Sequence, residues 1–296
     1  LKSVQLSDGL LRPRQTQTLP GFGTGRLVTD TLYDSRGNAV TTRGPISEPT
    51  TGPSTSVVSF TDATTPLITT QVLDGAGRVT ADITKVMGVE KWRTTTTYTG
   101  DRITVDPPDG GIPTTTITDA QGQTTELLQY TLGTPTGTTR STKYVYDLLG
   151  RMTKVTDPVG NAWEYTFNLQ GDLTKTVDPD KGTANLEYDE VGNLTRTLDA
   201  RNVDLRYTYD NLGRKLKVYQ PYQTADNGYH LYEYDLLSRP NADKLYNASN
   251  QLDRTTGMAY AGLQTILTDA RGNKTWKWTD VAGKLRRIID PSPTNG

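Results

Sequence analysis

Between Tyr146 and Arg214 an Asp or Asn recurs at 147, 157, 168, 178, 189, 199 and 210. The steps alternate between 10 and 11 and close a unit of 21 residues. Gly follows three places later at 150, 160, 171, 192 and 213; at 182 it comes one place late, and Asn202 stands after Asp199. Asp or Asn at i with Gly at i+3 is the pattern of a type I turn, in which the Asx side chain closes a hydrogen bond and Gly takes positive φ. A turn of this kind followed by a left-handed residue connects hairpins with a bulge. The residues left over make strands of about six or seven, or roughly 20–24 Å. Each unit is therefore expected to hold two strands and two turns.

Side-chain alternation agrees. Trp163, Tyr165 and Phe167 share one parity against Glu164 and Thr166, and Leu205, Tyr207 and Tyr209 oppose Asp204, Arg206 and Thr208. Leu173 and Val177 flank Lys175, and Leu194 and Leu198 flank Arg196, with Thr on the other parity. One face is aromatic and aliphatic, the other Thr and charge. The central Lys or Arg can lay its methylenes over neighbouring rings. Nothing repeats at 3.6, so strands and not helices are expected from Lys143 to Val218, in one curled antiparallel sheet.

Outside that stretch the register loosens. Tyr33-Asp34-Ser35-Arg36-Gly37, Asp74-Gly75-Ala76-Gly77-Arg78 and Asp119-Ala120-Gln121-Gly122-Gln123 repeat the turn at wide intervals, with strands such as Thr94–Thr99 and Thr114–Thr118 between them. Thr41–Thr55, Asp106–Gly111 and Thr131–Ser141 read as loops, and Gln220–Tyr229 as a longer connection. Downstream, Tyr234-Asp235-Leu236-Leu237-Ser238-Arg239 places Ser where Gly belongs, and turns return at Asp269, Asp280 and Asp290. The expected organisation is degenerate repeats with loop insertions over 1–142, regular repeats over 143–218 and further repeats over 219–296, without a clear domain boundary.

Composition excludes several functions. Lys+Arg number 32 against 33 Asp+Glu, spread evenly along the chain, so the clustered basic excess of a nucleic-acid footprint is missing and no nucleic-acid partner is expected. Zero Cys removes disulfides, thiolate chemistry and Cys-based zinc sites. No apolar run of about 18 residues exists, so no membrane-spanning segment is expected. The 52 Thr favour strands. A start at Leu1 and an end at Pro293-Thr294-Asn295-Gly296 suggest a piece of a longer polypeptide.

The turn-and-strand unit resembles the RHS/YD repeat, whose signature is Tyr-Asp, two residues, Gly-Arg/Asn, a short strand, then a further Asp. The matches are Tyr146-Asp147-Leu148-Leu149-Gly150-Arg151 with Thr156-Asp157, Tyr188-Asp189-Glu190-Val191-Gly192-Asn193 with Leu198-Asp199, and Tyr209-Asp210-Asn211-Leu212-Gly213-Arg214. The resemblance implies an all-β fold in which hairpins form a curled, spiral antiparallel sheet, part of a hollow shell. It also implies a large secreted or cell-surface protein, of the bacterial polymorphic-toxin or toxin-complex shell type or the teneurin type. The RHS core that ends many bacterial shells, with its aspartate-based self-cleavage site, is not recognisable before Gly296.

Asp147, Asp157, Asp189 and Asp210, with Gly150, Gly160, Gly192 and Gly213, are assigned to structural turns, although paired carboxylates are also what glycoside hydrolysis needs. His230 is the single histidine, and no G-x-S-x-G, H-E-x-x-H or Walker loop accompanies it, so it reads as a loop or edge residue. Asp178-Pro179-Asp180-Lys181-Gly182 lacks the oxygen count of a calcium loop. Thirteen of the 16 Tyr fall between Tyr144 and Tyr260. Trp163, Tyr165, Tyr207, Trp276 and Trp278 are candidate binding aromatics, against the alternative that rings stack across neighbouring strands. No catalytic residue, metal or cofactor is expected.

Two functions follow. The first is a non-catalytic structural shell segment that encloses or presents a C-terminal toxin or effector, its partners being the remaining repeats and C-terminal domain of the parent polypeptide. The second is an extracellular adhesion module binding carbohydrate or a surface receptor through exposed aromatics.

Overall fold

The structure is a computed structural model that describes residues 3–21, 24–219 and 228–290. It holds 24 strands among these residues, and the only helical element is a single 3-10 turn at Asp62–Thr64. Each strand pairs antiparallel with the next in chain order, from Ser3–Ser7 to Thr139–Tyr146. The same order runs from Met152–Thr156 to Leu285–Ile289. In the regular stretch the strands are five to seven residues long, close to the length the turn spacing requires.

The expected curled, spiral sheet of a hollow shell is corrected. Within each unit the antiparallel strands add one after another as an open ladder. Among the described residues, no pairing returns Thr139–Tyr146 to Ser3–Ser7, or Leu285–Ile289 to Met152–Thr156. Neither ladder closes into the wall of a hollow shell among the described residues. The reason is that a 10/11 period fixes the length and number of hairpins, whereas closure depends on strand tilt and shear, which the period does not carry.

The chain separates into two compact units, one of Leu1–Val145 with Asp157–Val159, the other of Tyr146–Thr156 with Gly160–Gly296. In the first unit Val28, Ile46, Ile68, Ala81 and Ile83 are buried. So are Gln15, Gln17, Arg26 and Asp30. Gln15 and Gln17 stand two apart on strand Pro13–Thr18 and so share a face. Gln15 Oε1 accepts from the Val58 amide at 2.9 Å and its Nε2 donates to Val58 O at 2.8 Å. Gln17 accepts from the Ser54 amide at 2.9 Å and donates to Ser56 O at 2.8 Å. Each primary amide thus stands in for a strand peptide. It satisfies the backbone of a connection that has no ladder of its own there. Arg26 completes the seam by donating to Gln17 Oε1 at 2.9 Å and Ser54 Oγ at 2.8 Å, and it also pairs with Glu48.

Two loop expectations change. Thr41–Thr55 is half strand, since Ala39–Glu48 pairs with Arg26–Tyr33. Its Gly44 and Pro45 are set in a register shift between Val28 and Asp30, which lets a strand carry a residue with no amide donor. Thr131–Ser141 shortens, because Thr139 opens the strand that ends at Tyr146. Of the connection Gln220–Tyr229, residues 220–227 lie outside the described residues, and Tyr229 opens a strand.

Candidate functional site

The recurring chemistry of the molecule is in its turns. At Asp147 the carboxylate Oδ1 accepts from the amides of Leu149 at 2.9 Å and Arg151 at 3.0 Å. Oδ2 accepts from Arg151 Nε at 2.7 Å. The Asp147 amide donates to Arg151 O at 2.9 Å and the Gly150 amide to Asp147 O at 3.0 Å. Gly150 has φ 79°, left-handed backbone that a residue with a Cβ takes only with strain. Asp210 repeats the set with Leu212, Arg214 and Gly213. Asp189 uses the Val191 and Asn193 amides and Asn193 Nδ2, with Gly192 left-handed. Asp157 accepts from Val159 at 2.9 Å, and Gly160 also has positive φ.

These bonds favour the ionised carboxylates. The Arg151 amide and then its guanidinium hold Asp147 below the ordinary value of 3.8. The Arg214 guanidinium and then its amide do the same at Asp210, and the Asn193 side chain and then its amide at Asp189. Such groups are poor general acids near neutral pH, since each proton site is committed to a donor inside its own turn.

A second layer ties every second turn to the strand after next. The Arg at i+4 of the turn also covers an aromatic ring at the end of that strand. Arg151 lies 4.8 Å from the Phe167 ring, Arg214 4.5 Å from Tyr234 and Arg239 4.2 Å from Tyr260. In the first unit Arg12 covers Tyr33 at 4.2 Å and Arg78 covers Tyr98 at 4.3 Å. The tyrosine hydroxyl then donates to the carbonyl just past the turn: Tyr209 to Leu194 at 2.7 Å, Tyr188 to Leu173 at 3.0 Å, Tyr234 to Lys215 at 2.8 Å and Tyr260 to Pro240 at 2.8 Å. Within each unit these latches lie two strands apart, so antiparallel alternation puts them at one common end of the strands. This explains the Tyr-Asp dipeptide physically. The Asp builds its own turn while the preceding Tyr fastens back onto the last one.

Sequence reasoning missed two turns. Asp8 accepts from Leu10 and Arg12 amides with Leu11 left-handed, and Asn247 accepts from Ser249 and Gln251 amides with Asn250 left-handed. Neither has Gly at i+3, the sequence mark of the other turns. Ser238 and Asn202 are left-handed at the same position. A search on Asx at i and a donor side chain at i+4 finds both.

Trp163, Tyr165, Tyr207, Trp276 and Trp278 are all half-buried along strands, with Lys215 over the Tyr207 ring at 4.9 Å and Arg287 over Trp278 at 5.4 Å. His230 is neither in a loop nor at an edge. It lies in strand Tyr229–Tyr234, paired on both sides, with Nδ1 2.7 Å from Asp243 Oδ1. At Asp178 the carboxylate accepts from the Asp180 and Lys181 amides, as an Asx turn. Among the described residues no group of three His, Asp or Glu could hold a metal ion, and no helix is long and apolar enough to cross a membrane.

Open hairpins fastened at every second turn define a class of repeat protein. The RHS Repeat family model matches residues 134–162, 146–183 and 188–225, under a third of the chain, in and around the regular repeats. In fold it is similar to the crystal structure of TcdB2-TccC3, with a TM-score of 0.57 and 17% identity over 99% of this chain and 19% of that one. The crystal structure of TcdB2-TccC3 without its hypervariable C-terminal region gives a TM-score of 0.52 at 19% identity, over 97% of this chain and 18% of that one. The structure of a Photorhabdus luminescens Tc holotoxin pore gives 0.53 at 18%, again over 97% and 18%. The chain therefore spans about a fifth of the length of the chains it matches. No curated protein is significantly similar to it.

Proposed function

We propose that the chain is a non-catalytic, structural stretch of wall in a longer secreted RHS-type protein, which encloses or presents a C-terminal toxin or effector. The observation that carries this reading is the commitment of the recurring carboxylates to turn closure along an uninterrupted run of hairpins, which leaves a framework in place of a reactive cleft. The likeness in fold to TcdB2-TccC3 over nearly the whole chain supports it. The partners are then the remaining repeats and the C-terminal domain of the same polypeptide. The edge strands Ser3–Ser7 and Leu285–Ile289 offer ladders for further strands.

The adhesion reading has less support at the residues first considered for it, because Trp276 and Trp278 are half-buried where exposure was required. The test is protease resistance of the C-terminal domain in the longer protein, with residues 143–218 intact or deleted. A C-terminal domain digested much faster after the deletion is expected. Equal digestion in both proteins would overturn the wall assignment.

A further inference from the structure

One groove in the first unit lies outside the latch system. Strand Val89–Thr99 is 11 residues long, but its neighbour Arg102–Asp106 has five and reaches only as far as the pair Thr95↔Asp106. The cause is in the sequence. Pro107 and Pro108 follow Asp106, and proline has no amide to donate, so the ladder stops and the chain peels away. Residues 89–94 are left overhanging, paired on their other side with strand Val79–Val86. The space so opened is a shallow groove of about 560 Å³ lined by Glu90, Trp92, Arg93, Asp106, Pro107 and Asp109 among others. That volume is in the range of small-ligand sites, about 300–1,000 Å³.

Its chemistry is specific. Trp92 is 55% exposed, unusual for the residue type that normally brings the largest apolar surface into a fold. Glu90 and Arg93 neutralise each other through a two-point ion pair at 2.8 and 2.9 Å, which lowers the Glu90 pKa and raises that of Arg93. Asp106 and Asp109 make no side-chain hydrogen bond or ion pair among the described residues, in contrast to the turn aspartates. A flat apolar ring beside two unengaged acceptors is complementary to a ring that has one C–H face and hydroxyls at its rim.

We propose that this groove binds a neutral pyranose unit of an oligosaccharide, stacked on the Trp92 indole with its hydroxyls donating to Asp106 and Asp109. The two free carboxylates repel sulfated or carboxylated sugars. The site is independent of the wall assignment, because it lies in the irregular first unit and uses none of the latch residues.

The experiment is saturation-transfer NMR and titration of the longer protein with cellotriose and chitotriose, with a heparin disaccharide and tetralysine as competitors. Transfer to the ring C–H protons of a neutral trisaccharide is expected. W92A should weaken binding roughly tenfold through loss of the stacking surface, and W92F should keep most of it. D106N with D109N should weaken binding by roughly another tenfold through loss of charged acceptors. Trp92 and Asp109 are exposed and Asp106 has no side-chain partner, so these variants test binding with the fold retained, as checked by circular dichroism. Failure of both trisaccharides to bind, binding unchanged in W92A, or selective capture of tetralysine would each overturn the proposal.

Discussion

The two compact units use the same antiparallel ladder and hold it in different ways. In the first unit Ile68, Val28, Gln15 and Gln17 are almost wholly removed from solvent, the glutamine amides bonding Ser54, Ser56 and Val58 of the connection after Glu48. In the second unit no side chain is fully buried among the described residues, and stability falls to a latch of turn carboxylate, Arg or Asn, and Tyr repeated every second strand. Long-range burial and local repetition are thus alternative means to the same sheet. Repetition leaves both faces open, and repeats of this kind bury their apolar side only against neighbours.

Acid should separate the two most sharply. Asp147, Asp189, Asp210 and Asp235 of the second unit, like Asp8, Asp34 and Asp74 of the first, are held below the ordinary carboxylate value of 3.8 by donors in their own turns. Among the described residues, only the first unit has buried apolar residues such as Val28 and Ile68 to hold it when those turns are lost. A carboxylate whose folded pKa is depressed contributes stability fully present above its unfolded value, and lost as pH falls through the folded one. Stability should therefore hold from neutral pH down to the ordinary carboxylate value and collapse below it, first in the second unit. Pepsin digestion at pH steps from about 5 to about 2 reads this directly as the order in which peptides are released. Early release from residues 15–83 would break the contrast.

Substitution in the two interiors comes next in size. Ile68 is 1% exposed, and Ile68→Ala should cost about 2–5 kcal/mol through lost transfer energy and the cavity left behind. Leu205, half-buried on strand Asp204–Tyr209, should cost only about 1 kcal/mol when changed to Ala. Hydrogen exchange of amides in each unit separates the two costs even if the units open independently. Equal costs would mean that the second unit has an interior of its own.

How much of this was legible in the sequence follows the same division. The hairpins of 143–218, their strand lengths and the aspartates that close their turns are local features, fixed by residues within four positions of each other, and the 10/11 spacing displays them. The Asp8 and Asn247 turns carry no Gly at i+3, so that mark does not find them, while Leu11 and Asn250 take positive φ without it. The partnership of Gln15 with Val58, 43 residues away, has no periodic trace at all. Nor has the openness of the sheet, which depends on tilt and shear. Trp92 lies outside the Tyr-rich region, and its exposure comes from two prolines on the neighbouring strand's exit.

The finest test of the contrast uses two glycines matched in backbone and different in surroundings. Gly25 has φ 100° and Gly160 φ 97°, so an added Cβ meets the same torsional strain, about 1–2 kcal/mol, at both. Around Gly160 that Cβ would find nothing within 4 Å. At Gly25 it would lie 2.2 Å from Glu48 O and 2.7 Å from Pro49 Cα, both backbone atoms of the segment leading into the glutamine-bound connection. They cannot step aside without moving that segment. Gly160→Ala should therefore cost the torsional strain alone. Gly25→Ala should cost about 1–3 kcal/mol more, the usual size of an overpacking penalty. Thermal unfolding of the two variants measures the difference, and limited proteolysis near residues 50–60 checks its cause. Equal losses, with the connection no more readily cut in Gly25→Ala, would show that the first unit is no more tightly packed there than an open turn of the second.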